Sequence, residues 1–182
     1  KLAPMQSGID PKDKAAIELR DQLRTDYLQA QLLGAAIREE AAETAAEGSQ
    51  EYMTMLTEAA GIYGEIYDKY RLKLAGLYAR MYQGRCNQKI GKYKDALSYY
   101  EELLDQDDSA DPLRVMKTKT LALALECWMA SKPPLYAEAV KRLEPWVKDV
   151  RPNEAKESDW LQLRFGLAKA QWERAQELKK DD

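Results

Sequence analysis

Three stretches of this 182-residue chain repeat one pattern: an Ala, a large residue four positions on, and apolar residues at seven and eight. The copies are Ala59, Tyr63, Ile66 and Tyr67; Ala96, Tyr100, Leu103 and Leu104; and Ala139, Leu143, Trp146 and Val147. Those offsets fall on one face of an α-helix, whereas a strand would scatter them over both faces. The small residue lets a neighbouring helix come close, and the large ones fill the groove beyond it. Successive copies are 37 and 43 residues apart. The pattern therefore predicts helical hairpins stacked on one another, with stability coming from each hairpin burying its face on the next.

Punctuation supports an all-α chain. The 9 Gly and 7 Pro sit at element ends, good helix formers dominate between them, and no window alternates strictly enough to read as a strand. Seven helices are expected. Asp10-Pro11 reads as cap and first turn of a long helix over 11–47, with Asp13 in that turn and Gly48 as the left-handed stop. As one rod it would be roughly 55 Å long, so a bend near Gly34, or a long arm lying along the rest, is expected. Ser49 caps a helix over 50–70. Others follow over 72–90, ending at Gly91, and 93–105. An acidic linker runs from Asp105 to Asp111. Asp111-Pro112 starts the fifth helix, to 131, and Pro133-Pro134 breaks it. A sixth runs to 149, with Pro145 expected to bend or end it. The seventh starts at Asn153 or Ser158 and runs to 180.

The segment from Tyr82 to Leu104 resembles a tetratricopeptide repeat. Gly84, Gly91, Tyr93, Ala96 and Tyr100 match that family's small residue, turn glycine, turn aromatic and packing pair in order and spacing. The family period is about 34 residues, so both spacings here are stretched. The flanks keep Leu121, Trp128, Ala139 and Trp146, then Trp160, Leu163 and Leu167 as a terminal half-repeat. The resemblance spans roughly residues 50–170, about three degenerate repeats, and leaves the N-terminal helix outside. It implies a right-handed stack of antiparallel helical hairpins. The organisation would be an extended segment over 1–10, a long helix over 11–48, hairpins over 49–152 and a capping helix over 153–182. It also implies a non-enzymatic scaffold or adaptor binding a peptide or protein segment on a concave face built from the first helix of each hairpin. Carried over from Gly84, the groove positions are Tyr78, Met81, Arg85, Gln88 and Lys89. The next hairpin, with a two-residue turn insertion, gives Lys119, Ala122, Glu126 and Met129. Met81 and Arg85 stand where some relatives place the Lys and Asn that clamp a terminal carboxylate, so that clamp is not expected. Arg85 and Lys89, one turn apart, could instead hold an acidic side chain.

Several chemistries find no support. The chain has no His, which removes His-based acid–base and nucleophile pairs and nearly all zinc sites. Gly91-Lys92-Tyr93 is not a phosphate loop, because Cys86 stands where a Gly is required and Tyr93 where Ser or Thr is. Glu101-Glu102 point apart on a helix, and Asp107-Asp108 lie in a linker with no rigid shell around them. Cys86 and Cys127 fall at equivalent positions of stacked first helices, too far apart for a bridge, and read as buried thiols. No catalytic residue, metal or cofactor is expected. No apolar run is long enough to span a bilayer.

Charge and aromatics are unevenly placed. Residues 51–100 carry 8 basic and 5 acidic side chains, and residues 101–150 carry 7 and 10. The overall balance of −3 argues against nucleic acid as the main ligand, while the basic stretch suits an acidic peptide as well as a plain solvated face. Eight of the 11 Tyr lie between 63 and 100, reading as helix packing, an aromatic-lined groove, or both. Trp172 falls off the stripe of Trp160, Leu163, Leu167, Ala170 and Leu178, and so is a candidate contact with another chain. Two other readings stay open. One is a structural subunit or homodimer assembled through the long N-terminal helix. The other is a soluble piece of a larger protein whose other domains carry activity. The sequence leaves the compartment open, cytoplasmic or exported after loss of an N-terminal signal or anchor.

Overall fold

Side-chain caps start the first two helices, and the next four begin without one. The computed structural model describes residues 10, 12–107 and 110–181; the expected extended segment over 1–9, Pro11 and part of the acidic linker lie outside the described residues. Among the described residues there are seven α-helices and no strand: α1 Lys14–Ala42, α2 Gln50–Tyr70, α3 Leu74–Lys89, α4 Tyr93–Leu104, α5 Asp111–Ala130, α6 Tyr136–Lys148 and α7 Ser158–Asp181. No helix among them is long and apolar enough to cross a membrane.

Ser49 caps α2, its hydroxyl accepting the Tyr52 N–H at 3.1 Å. Gly48 and Gly91 take positive φ, +76° and +78°, where side-chain-bearing residues are strained. The start of α1 differs from expectation. Asp13, not Asp10, is the cap, its carboxylate accepting the Ala16 N–H at 3.0 Å. Asp10 instead organises the turn before it, accepting from Lys12 N–H through its side chain and from Asp13 N–H through its carbonyl. The helix runs unbroken through Gly34 and stops at Ala42 rather than near 47. Glu43, Thr44 and Ala45 turn back on carbonyls three residues earlier, and this tighter winding ends the helix before Gly48. Ala110 caps α5, so Asp111 and Pro112 sit inside its first turn. Pro145 is tolerated inside α6, which ends within a turn of it.

Each helix packs on the next, and each odd-numbered helix also packs on the following odd-numbered one. The repeated pattern occupies equivalent places in this arrangement. Ala59, Ala96 and Ala139 are fully buried, as are Tyr63, Tyr100 and Leu143 four positions on. Burying each of those large side chains stabilises by roughly 1.5–3 kcal/mol. Two core clusters result. One joins α1, α2 and one side of α3 around Leu56, Tyr63 and Cys86. The other joins the opposite side of α3 to α4–α7 around Tyr100, Trp128 and Leu163. Thus α1 lies along α2 and α3 and shares their core.

Buried and half-buried arginines bolt the elements together. Arg80 of α3 pairs with Glu102 of α4 through two hydrogen bonds, 2.9 and 2.5 Å, and its guanidinium lies over the rings of Tyr67 and Tyr99. Arg114 of α5 is almost fully buried. It binds Glu154 and Asp149 in the α6–α7 connection and stacks on Trp146.

Candidate interaction face

The odd-numbered helices bring four of the predicted groove residues, Arg85, Gln88, Lys89 and Glu126, into one line of contacts. Glu39 of α1 meets Arg85 of α3, and Glu43 meets Lys89. Both pairs are 46 residues apart, so α1 and α3 run side by side in the same direction. Further along, Gln88 donates to Glu126 of α5 at 2.6 Å, and Gln162 of α7 donates to the other oxygen of that carboxylate at 3.4 Å. A polar seam therefore crosses all four odd-numbered helices.

The predicted residues divide into three groups. Arg85 and Lys89 are not open to a ligand. Glu39 is fully buried and accepts from Arg85 Nε and Nη2 at 2.7 and 2.8 Å and from the Tyr63 hydroxyl at 3.3 Å, with Lys89 Nζ at 3.3 Å. Burial opposes the charge on Arg85, but its hydrogen bonds and the Glu39 carboxylate raise its pKa overall. The acidic side chain expected between Arg85 and Lys89 is thus supplied by α1 itself. Met81 and Ala122 are core residues, because α3 and α5 each have packed neighbours on both sides. Tyr78, Gln88, Lys119, Glu126 and Met129 remain at least partly exposed. Tyr78 is half-buried beside Tyr82, with ring centroids 6.2 Å apart. Burial first, then Tyr82 and Asp159, raises the pKa of its hydroxyl. Lys119 is exposed and has no ion-pair partner among the described residues.

Reactive groups are shut away. Both cysteines are free and fully buried. Burial pushes the Cys86 thiol up to about 12, with the Glu39 charge adding to it, and burial pushes Cys127 to about 12, with Glu126 adding. Neither supplies a thiolate at neutral pH. Among the described residues no group of three or more carboxylates and thiols could hold a metal ion. A shallow groove of about 420 Å³ between α2 and the α3–α4 turn is lined by Met53, Thr54, Thr57, Ile90 and others, away from the seam.

Two carboxylates of α1 and one ring of α7 extend the set that the sequence points to. Glu39 and Glu43 carried no sequence signal, since their partners are 46 residues away. Phe165, by contrast, was findable: it lies seven residues before Trp172, and both point outward from α7. No family model, no curated protein and no solved structure matches this chain.

Proposed function

We propose that the seven helices form a tetratricopeptide-like, right-handed stack, and that the chain is a non-enzymatic scaffold holding a segment of another protein across α3, α5 and α7. The observation that carries the reading is the contact between Gln88 and Glu126. These residues belong to different hairpins, were assigned to one groove, and touch each other on an open side of the molecule. A face continuous across hairpins suits an elongated ligand spanning several helices. Tyr78 and Met129 offer apolar contact, and the unpaired Lys119 offers a cation for a ligand carboxylate.

The test is selection of a displayed random-peptide library on the immobilised full chain and on a Tyr78→Ala/Lys119→Glu variant. Peptides with an acidic and an apolar residue should enrich on the original chain and lose at least about tenfold in affinity on the variant. Failure to enrich any peptide, or enrichment indifferent to the two substitutions, refutes the reading.

A further inference from the structure

The two terminal helices each carry a second apolar stripe on the face turned away from the core. On α7 it is Leu161, Phe165, Ala168, Trp172 and Ala175. On α1 it is Leu19, Leu23, Ala30, Leu33 and Ile37, with Asp26 in the same row. Both rows follow the alternating four-and-three spacing of a knobs-into-holes seam. The inner faces are separate: Leu163, Leu167 and Ala170 of α7, and Leu28, Ala35 and Ala42 of α1, are buried. The outer rows are not. Phe165 is 73% exposed, Trp172 59%, Leu33 61% and Ile37 59%. Phe165 and Trp172 alone leave roughly 250 Å² of aromatic surface in water, and Leu161, Ala168 and Ala175 extend it into a strip of the kind that serves as a contact surface.

We propose that the outer row of α7 docks on the outer row of α1 of a second copy of this chain, joining molecules head to tail. Charge selects this pairing over α7 on α7 or α1 on α1. Arg164 and Lys169 flank the α7 row and have no carboxylate partner among the described residues. Asp26 and Glu40, in and beside the α1 row, have no cationic partner there. The opposite charges nearby are paired or turned elsewhere. Arg20 and Arg24 pair with Asp21, Arg38 pairs with Glu58, and Glu173 and Glu177 lie on the α6 side near Tyr136. Head-to-tail contact matches cation to anion, whereas either symmetric pairing sets like charges together. Shape agrees. Ala30 and Gly34, one turn apart, leave a notch beside Leu33 and Ile37, with nothing within 4 Å of where a Gly34 side chain would begin. A ring the size of Trp172 needs such a notch. The contact is heterologous, so it does not close at two copies and larger assemblies grow with concentration. The inference is independent of the inner-face reading, because neither row lies on the seam across the odd-numbered helices.

The experiment is sedimentation velocity on the full chain and on two surface variants over a wide range of concentration. One variant is Leu33→Glu/Ile37→Glu, and the other is Phe165→Glu/Trp172→Glu. All four positions are exposed, and circular dichroism checks that both variants keep their helices. The unmodified chain should form species beyond a dimer, weakened by salt. Each variant alone should be monomeric, with association reduced at least about tenfold. Mixed, the two variants should form a one-to-one dimer and nothing larger, since each retains the face the other lacks. A monomeric unmodified chain overturns the proposal, and so does a variant with a damaged α1 row that still dimerises through α7. A mixture that fails to pair while the unmodified chain associates overturns it as well.

Discussion

Gly84→Ala and Gly61→Ala are the same chemical change with opposite expected signs. Each replaces a glycine inside a helix, and in each the helix itself favours Ala by about 1 kcal/mol. At Gly61 an added methyl meets nothing within 4 Å, so the whole gain should appear. At Gly84 the methyl runs into Cε1 of Tyr100, with Cδ1 and Cζ at 3.0 Å. Carbon atoms prefer about 3.5–4.0 Å, so the ring would have to retreat. It is fully buried, and its hydroxyl donates to Gln88 at 2.8 Å. Overpacking of this kind costs typically 1–3 kcal/mol. With little freedom to yield, the upper figure applies, and the net effect is a loss of about 2 kcal/mol after the ~1 kcal/mol propensity gain. For a chain of this size that lowers Tm by about 4–8 °C, against a rise of about 2–4 °C for Gly61→Ala. Thermal melts followed by far-UV circular dichroism read both. In the Gly84→Ala background, Tyr100→Leu should cost less than it does alone, because the two substitutions share one contact. If Gly84→Ala melts at or above the unmodified chain while Gly61→Ala gains, the close approach of α3 to Tyr100 is wrong, and the repeat logic built on it fails.

Glu39→Gln removes the charge that two cations surround. It should destabilise by about 3–5 kcal/mol, nearer the lower figure because Arg85 and Lys89 keep some access to water; the urea midpoint reads it, and Glu39→Met/Arg85→Leu should recover much of the loss. Arg114 holds the Glu154 carboxyl below its ordinary value of 4.5 chiefly by hydrogen bonding. A carboxyl lowered in the folded state contributes stability that is present above the unfolded value and lost as pH falls through the lowered folded value. Glu154→Gln should therefore lower the urea midpoint at neutral pH and narrow the difference from the unmodified chain below about pH 4. Cys86 and Cys127 should resist an aromatic disulfide reagent in the folded protein and react at once in denaturant; rapid reaction in the native state would contradict their burial.

What could be read from the sequence was local. Ser49 and Gly91 act within a turn of themselves, and their roles follow from residue type alone; Gly48 takes its left-handed conformation, but the helix it was expected to stop ends at Ala42. The Ala-and-large pattern also reads correctly, because it depends only on helical spacing. Contacts set by neighbours many residues away did not read. Met81 lies on the side of α3 that a ligand would face only if that side were free, and the core around Tyr100 and Trp128 takes it up. The cap of α1 was misplaced for a subtler reason. Asp10 and Asp13 are both good caps three residues apart, and only the turn that Asp10 itself closes decides between them. Phe165 and Trp172 form a seven-residue repeat legible in the sequence, with Trp172 standing off the inner stripe of α7.

The uneven charge of the chain has the same explanation as the burial of Glu39. The cations of residues 51–100 answer carboxylates elsewhere: Arg85 and Lys89 answer Glu39 and Glu43, and Arg80 answers Glu102. The acidic excess of 101–150 is partly matched too, with Glu102 held by Arg80 and Asp111 by Arg151. An imbalance that looks like an invitation to a charged partner is in good part the trace of pairs formed between helices. Pairs of this kind, half-exposed or buried, fix which helix lies beside which, because a misplaced neighbour strands a charge. What those pairs leave on the outer faces of the two terminal helices is a row of exposed apolar side chains on each, Leu33 and Ile37 on one and Phe165 and Trp172 on the other. A partner drawn to the basic stretch would find Arg80, Arg85 and Lys89 already paired with carboxylates. One drawn by Phe165 and Trp172 would find them unoccupied, with Arg164 and Lys169 beside them to set its orientation.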